Sequence, residues 1–578
     1  MFTNNKLAKS VRLAIAFGAA ATALPASQAF AADEESAGDV ERIQVTGSRI
    51  KRADMEGANP ITVISRDELV ASGITNMGDI LQQIPAVAGA ATNTAINNGG
   101  SGAIRVSLRG LGSNRTLVLV NGRRMVAGGT GADSSADLSM IPTAIVKRVE
   151  VLKDGASAIY GSDAIGGVVN IITRDNFEGF EANVSYDAST KNNDGYTKSL
   201  DFTIGFAGDK GHAVVNAYYV QQGAQWSGDR DWSAFELDMN ADGSLSKGGS
   251  SAPPWSRLNG INSANEDNFI HKTDDDGNLL YEDEKGKETT TVTEDPVMVL
   301  PAGTCNSFTH GAGEGPGQSN PTPFANETGY DCWDWDKDTY NYAPANYHLT
   351  PQERYGFYAG GSYEFSDSLR FESELLFSRR VSNTKLAPLP LAPLAFFGWT
   401  DATYSKDNYY NQQFGPKDMK DRTVDIADWR RRVVETGGRD TRFRVETVRA
   451  MMALSGEILD GDWGYEISYV FGTTDASSAL NGGVNFEKVS QAVGPSFMDD
   501  TGSITCGTVD EPIPGCVSLN IFGAPGTDSS VTQEMMDFIT FEAHDFGNSE
   551  QQIISASIFG EAFELPAGSV GVAFGIEN

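Results

Sequence analysis

The sequence contains no run of about eighteen consecutive apolar residues, the length a helix needs to cross a bilayer, and this excludes a helical membrane protein. It does not exclude a barrel, whose strands alternate in polarity and leave the mean hydropathy low, here −0.29. Positive charge is also short: 44 Lys and Arg face 77 Asp and Glu, so the net charge is 44 − 77 = −33. A nucleic-acid binder driven by a basic surface is therefore excluded. The parts of an enzyme are missing too. The five histidines, His212, His271, His310, His348 and His544, stand singly, and no nucleophile, general base or metal constellation is clustered around them. What is present is globular in character: 40% apolar and 10% aromatic residues are too many for a disordered chain, and the 63 glycines lack the strict period of collagen. At 578 residues the chain asks for more than one folding unit, or one very large one.

The first residues read as an export signal. Lys6, Lys9 and Arg12 precede an apolar stretch from Leu13 to Leu24 and then Ala29-Phe30-Ala31, which predicts a signal peptide over 1–31 cleaved before Ala32. A mitochondrial presequence is the alternative; the compact apolar centre and the Ala-x-Ala ending favour export. The four cysteines then sit in a compartment that tolerates disulfides, and they fall as two local pairs, Cys305 with Cys332 and Cys506 with Cys516. Loop staples are favoured over a metal site because no His or second Cys stands at ligand spacing beside them. Neither a metal nor a cofactor is expected.

From Glu41 to Asn176 the charge is nearly balanced, with 14 basic and 12 acidic residues, which marks a separate small α+β domain. Pro60 to Ile64 reads as a strand, Ser65 with Glu68 as a capping box opening a helix that Gly73 ends, and Thr75 to Ile84 as a second helix stopped by Pro85. Ile104 to Leu108 alternates as a strand. Leu117 to Val120, Asn121-Gly122 and Arg123 to Val126 give the strongest hairpin signal in the chain, since both turn positions need positive φ. A helix-like piece at Ile141 to Ile145 leads into strands at Arg148 to Leu152 and Val168 to Ile172.

These residues carry a family resemblance. The run from Leu108 to Gly122, containing Arg109, Gly110, Arg115, Asn121 and Gly122, resembles the plug domain of TonB-dependent outer-membrane receptors. So does the run from Arg148 to Ile172, containing Glu150, Gly155, Tyr160, Gly161, Gly166, Gly167 and Asn170. Gly161 to Gly167 alone would suggest a phosphate-cradling loop, but it lacks the Gly-Lys-Ser/Thr ending and the crossover helix of such loops. Upstream, Glu41-Arg42-Ile43-Gln44-Val45-Thr46-Gly47 resembles the TonB box of the same family. A short extended segment of this kind, on a polar tether, can add a strand to a partner's exposed sheet edge; the alternative is a frayed first strand. The gap from Ala32 to Val40 is too short for the extra periplasmic domain of the family's signalling members, so transcriptional control by that route is not expected. The resulting division is 32–58 for the TonB box and linker and 59–176 for the plug.

From 177 onward the period becomes two. Phe180, Ala182, Val184 and Tyr186 alternate with Glu181, Asn183, Ser185 and Asp187, and the same holds near Leu200 to Phe206, Leu369 to Phe377 and Trp463 to Phe471. Alternation alone fits both a soluble sandwich and an outer-membrane barrel. Connection lengths favour the barrel, because short turns near Ala207 to Gly211, Ser366-Asp367, Leu459 to Asp462 and Leu565 to Gly568 alternate with long loops at about 222–352, 381–439 and 476–549. Nine strands are predicted, near 179–187, 195–207, 211–222, 353–365, 368–380, 440–457, 463–475, 550–564 and 568–577. The family resemblance implies a barrel of about 22 strands, so 177–578 reads as the N-terminal part of an antiparallel transmembrane β-barrel, incomplete at its C-terminus. Gly223 to Gln352 holds 22 acidic and 7 basic residues and reads as a solvated extracellular loop. Neither Asp274-Asp275-Asp276-Gly277 nor Asp334-x-Asp336-x-Asp338 completes a calcium-binding pattern.

The resemblance implies an importer in the outer membrane of a Gram-negative cell. Its plug and TonB box face the periplasm, its long loops bind an extracellular small molecule, and TonB with its inner-membrane energising complex drives uptake. Outer-membrane lipid is a further partner and nucleic acid is not. Relatives carry iron chelates, cobalamin, nickel complexes, oligosaccharides and peptides, with iron-siderophore uptake the favoured expectation. Competing readings are a passive surface receptor and a truncated, non-functional remnant. Alternation further predicts that Arg109 and Arg115 of the plug pair with the inward carboxylates Glu372, Glu374, Glu466 or Glu561 of the wall.

Overall fold

The computed structural model of the chain describes residues 61–71, 77–87, 93–130, 135–175, 177–259, 331–335, 338–415, 423–459, 463–523, 531–566 and 568–578, and short strands at 43–44, 51–52, 270–271, 281–282, 288–289, 298–299 and 307–309. The signal-peptide segment, Cys305 and the Asp274 to Gly277 run lie outside the described residues.

The N-terminal unit is built on a five-stranded mixed sheet in the order Ile61–Ser65, Val146–Leu152, Gly167–Thr173, Thr116–Val120, Arg123–Arg124. Its neighbours are antiparallel except for Thr116–Val120 beside Gly167–Thr173, which run parallel. The capping box forms as its spacing predicts: Ser65 N–H donates to Glu68 Oε2 (2.8 Å) and Glu68 N–H donates to Ser65 Oγ (3.3 Å), opening the helix Arg66–Ala71. The second helix, Met77–Leu81, ends before the predicted Ile84 and is followed by a 3-10 turn at Pro85–Val87; proline disfavours helical geometry at Ile84, the residue before it. Ile104 to Leu108 departs further from expectation: it forms no extended strand, only a single bridge at Arg105 and a backbone hydrogen bond from Leu138 N–H to Ile104 O (2.8 Å). Its Ile104 N–H goes to Asp137 Oδ1 (2.9 Å) and its Leu108 N–H to Thr116 Oγ1 (3.0 Å), so side chains accept from the two ends of the stretch in place of a continuous ladder.

The second unit is a nine-stranded antiparallel sheet, and its strands fall where the nine were predicted. They are Gly179–Asp187, Thr197–Gly208, Gly211–Gln222, Gln352–Ser366, Leu369–Leu386, Arg439–Ile458, Trp463–Val484, Thr540–Leu565 and Gly568–Glu577, each paired with its neighbours in sequence. The sheet is a partial barrel: Gly179–Asp187 and Gly568–Glu577 form its two edges and are not joined. Leu369–Leu386, Trp463–Val484 and Thr540–Leu565 outrun their predicted ends. Their added stretches carry only scattered apolar residues among polar ones such as Ser382, Asn383 and Thr384, so no sustained apolar alternation announces them.

Exposure settles which face is which. Phe180, Val184, Phe202, Phe206, Val215, Tyr219, Ile467 and Ile554 are exposed, while Thr203, Asn216, Ser378, Thr447 and Thr474 are buried on the opposite face. The buried polar groups answer one another, Asn216 Nδ2 with Thr203 Oγ1 at 2.9 Å and Thr447 Oγ1 with Thr474 Oγ1 at 3.0 Å. Apolar outside and polar inside is the arrangement of a barrel in lipid and the inverse of a soluble sandwich. The N-terminal unit fills the concave side. Its core, which includes Leu81, Ile104, Leu138, Val149 and Ile171, continues into the sheet through Tyr358, Leu376, Val445 and Ala476.

The long connections are not solvated throughout. Parts of all three pack into one subdomain around Leu258, Tyr404, Trp429, Val489, Leu519, Phe522 and Met535. Tyr404 donates from its hydroxyl to Leu519 O (2.6 Å), and Trp429 Nε1 donates to Ala402 O (2.8 Å). These apolar residues are dispersed among acidic and glycine-rich stretches with no local period, which is why the sequence hides them. The disulfide Cys506–Cys516, with Cα atoms 5.6 Å apart, staples the small sheet Ser496–Met498, Ile504–Gly507, Pro512–Val517 at its margin, as its spacing predicts.

Candidate functional site

The site begins at the hairpin tip. Asn121 (φ 50°) and Gly122 (φ 77°) occupy the left-handed region that the two-residue turn demands, and this directs Asn121, Arg123 and Arg124 against the wall of the sheet. Asn121 Oδ1 accepts from Thr173 N–H (2.9 Å), Asn170 Oδ1 accepts from Gly122 N–H (2.9 Å), and the turn is thereby braced on the neighbouring strand. Outward from this brace, Asn121 Nδ2 donates to Glu374 Oε1. Arg123 reaches Glu466 (3.0 Å) and Glu372 (4.0 Å). Arg449 of the wall closes the circuit, donating to Glu374 Oε2 (2.7 Å) and to the Arg124 carbonyl (3.3 Å). Arg124 itself pairs with Asp163 (2.5 Å) and Glu577 (3.5 Å) and donates to the Tyr160 carbonyl. Burial alone would lower the Arg123 pKa, but Glu466, Glu372 and Glu374 together hold it above its ordinary value.

The predicted plug-to-wall pairing therefore exists with different arginines. Arg109 pairs within the plug, with exposed Asp154 at 3.8 Å, and Arg115 donates to Leu111 O (2.9 Å). Neither touches the wall carboxylates, because both lie in 3-10 turns before the hairpin rather than after its tip. Glu561 is exposed. The signal for Arg123 and Arg124 was the Asn-Gly turn itself, which aims the residues that follow it. For Arg380 and Arg449 the signal was their inward place in the strand alternation.

A second contact lies nearer the outer end. Asp137 Oδ2 pairs with Arg380 (3.0 Å) with both side chains almost fully buried, and Asp137 Oδ1 accepts from the N–H groups of Ile104 (2.9 Å) and Ser139 (3.0 Å). Burial alone would raise the Asp137 carboxyl, yet Arg380 and these donors hold it below the usual carboxylate range. Above it, Asn97 exchanges two hydrogen bonds with the Lys385 backbone (2.7 and 2.9 Å), copying a strand pairing with a single side chain. A third contact closes the lower end, where Arg66 and Arg174 both pair with Glu181 (2.9 and 3.0 Å).

The remaining motif residues sit inside the plug. Arg148 and Glu150 pair with each other at 2.7 Å, and Gly166 N–H donates to Arg115 O (2.8 Å). Gly110, Gly155, Gly161 and Gly167 lie in or beside the turns that join the strands, and Tyr160 ends the short helix Ser157–Tyr160. Of the segment Glu41 to Gly47, only Ile43 and Gln44 are described, as two residues antiparallel to Lys51–Arg52; Glu41, Arg42, Val45, Thr46 and Gly47 lie outside the described residues. Between hairpin and wall is a cavity of about 90 Å3 lined by Arg123, Arg124, Tyr160, Glu466, Ser555 and Ser557. Among the described residues no group of three or more His, Cys, Asp or Glu is placed to hold a metal. The arrangement is one of charge pairs that hold the two units together.

Residues 53–168 match the family profile described as TonB-dependent Receptor Plug Domain. Among solved structures, the chain is similar to a ferric enterobactin receptor of Pseudomonas aeruginosa at 13% identity, covering 90% of this chain and 57% of that one with a TM-score of 0.35. It is similar at 12% identity to the siderophore receptor PiuA of Acinetobacter baumannii, covering 90% of this chain and 61% of that one, with a TM-score of 0.35. The ferric preacinetobactin receptor BauA of the same organism gives 12% identity, 90% and 57% coverage, and a TM-score of 0.35. The chain thus spans 57 to 61% of the length of these three structures. Residues 53–168 are a TonB-dependent receptor plug domain, and an antiparallel partial barrel follows it in the chain.

Proposed function

We propose that this chain is the plug and first part of the barrel of an active importer in the outer membrane. An external ligand binds the packed subdomain and the plug apex, TonB takes hold of the segment Glu41 to Gly47 from the periplasmic side, and its inner-membrane energising complex pulls. The observation that carries this reading is the hairpin circuit of Asn121, Arg123 and Arg124 with Glu374, Glu466 and Glu372. A plug held by exchangeable polar contacts to a polar wall can be shifted without exposing a large apolar seam to water. The working barrel needs strands beyond the nine, because an open sheet edge in lipid leaves backbone N–H and C=O groups without partners. An iron chelate of the siderophore class is the first substrate to test.

Deleting Ile43 to Thr46 tests energised import against a passive surface receptor. Cells carrying the deletion are expected to bind a radio-iron-labelled chelate as the parent does while its uptake falls to background. Undiminished uptake would overturn the role of TonB. Uptake of cobalamin or an oligosaccharide in place of the chelate would overturn only the substrate.

A further inference from the structure

Two arginines of the wall meet where their inward neighbours on the wall are neutral. Arg354 of Gln352–Ser366 and Arg380 of Leu369–Leu386 are direct partners in register, and both are buried against the plug, 5% and 1% exposed. Val220 and Val445 continue the rung on either side, and Gln352, Ser382, Gly356 and Ser378 stand one step along the same face of the two strands. Like charges directly opposite one another on neighbouring strands repel.

The plug supplies one paired carboxylate to the two of them. Asp137 pairs with Arg380 at 3.0 Å, and among the described residues no carboxylate stands within ion-pair distance of Arg354. Asp79, on the plug helix Met77–Leu81, feels the charge of Arg354 without pairing with it, and burial pushes its carboxyl upward. Arg354 donates from Nη1 to the Ser139 carbonyl (3.2 Å), while its Nε is buried with no partner. Other buried arginines are better supplied. Arg431 and Arg449 meet Glu435 (2.6 Å) and Glu374 (2.7 Å), and Arg432 donates to the carbonyls of Ala252 and Pro388 and to Ser250 Oγ. A guanidinium out of water with neither counter-charge nor a full set of acceptors costs far more than one bond to a carbonyl returns. Nor does an arginine escape by shedding its proton.

We propose that Arg354 and Arg380 hold a small inorganic anion of chloride's size in the seam between plug and wall, seated on Arg354 Nε. Near-complete burial of both side chains excludes a bulky anion. Gln352, two residues from Arg354 on the same face, is buried with its amide Oε1 unpartnered, and a half-turn of that amide presents its NH2 to the ion. With the ion seated, two guanidiniums face one carboxylate and one anion, and the charges balance. The ion then joins a wall strand to the plug beside the Asp137 contact and adds to docking. This site needs only the plug and the wall, and it stands apart from import.

The test uses the full chain extracted into neutral detergent. The urea midpoint at which a protease first cuts the plug is measured in sodium chloride and in sodium gluconate at equal ionic strength. For the parent it is expected to rise with the logarithm of chloride concentration at the slope of one ion per chain, and to stay flat in gluconate. Arg354→Gln removes the surplus charge and should abolish the chloride dependence, whereas Arg354→Lys should keep it. Crystals of the parent grown with bromide should show an anomalous peak within about 3.5 Å of Arg354 Nε, which reads the site even where Arg354→Gln fails to fold. Midpoints alike in the two salts, a chloride dependence retained in Arg354→Gln, or bromide found only at exposed side chains overturns the site.

Discussion

Arg123 stands where one guanidinium meets three carboxylates. Its side chain is 12% exposed, and Glu466 and Glu372 approach it at 3.0 and 4.0 Å. Removing it leaves like charges facing one another across a partly desolvated gap, so Arg123→Ala is expected to weaken plug docking by about 2 kcal/mol, less than a fully buried pair would because the carboxylates keep some water. Arg109→Glu, at an exposed pair within the plug, should change docking by less than about 0.5 kcal/mol. The measurement is the denaturant midpoint at which a protease first cuts the plug. Adding Glu466→Gln to Arg123→Ala should recover part of the loss, and equal midpoints for Arg109→Glu and Arg123→Ala would assign no latch to the hairpin. At this scale the chemistry was legible but its owner was not. Alternation points Glu372, Glu374 and Glu466 inward, whereas which plug arginine meets them depends on the direction of a turn. Arg109 and Arg123 are alike in sequence and differ in lying before and after that turn.

The hairpin Thr116–Val120, Arg123–Arg124 shows what an element's sequence can specify. Asn-Gly between two apolar runs demands left-handed geometry, and the structure places Gly122 at φ 77°. Gly122→Ala is expected to cost about 1 kcal/mol of plug stability, while Leu119 and Val120 keep their burial, and calorimetry of the variant checks it. A larger loss accompanied by early protease cutting would mean that the turn sets the Arg123 contact as well as its own backbone. All nine wall strands were legible for a related reason, since period-two alternation is written residue by residue. The outer subdomain was not. Leu258, Tyr404, Trp429 and Val489 come from three separate connections and meet only when the wall brings the loop ends together, so no window of sequence contains their pattern. The capping box at Ser65 and the shortened strand at Ile104 make the same contrast on a smaller scale: the first is local, whereas at the second the Ile104 N–H is taken by Asp137, a residue distant in sequence.

Across the whole molecule, docking depends on acidity through Asp137. Its carboxyl lies below the ordinary range when folded, so it stabilises the docked plug at any pH above that range, and this contribution is lost as pH falls through the depressed value. Acidification below about pH 4 should therefore loosen the plug of the parent chain. Asp137→Asn should flatten that acid limb and weaken docking at neutral pH by about 3 kcal/mol, because Arg380 is left buried without its partner. Tryptophan fluorescence with protease protection, followed from pH 7 to pH 3, reads both; an acid limb unchanged in Asp137→Asn would place the titrating group elsewhere. The wall is notched: a Cβ on Gly472 would come within 2.7 Å of Val126 Cβ, and one on Gly547 within 2.7 Å of Thr130 Cα. Inward positions on either side of Gly472 carry Val470 and Thr474. A rigid plug sliding by one step along its wall would drive Val126 out of its notch and into a neighbouring side chain. The wall is thus shaped as a keyed socket, which resists translation of the plug as a rigid whole.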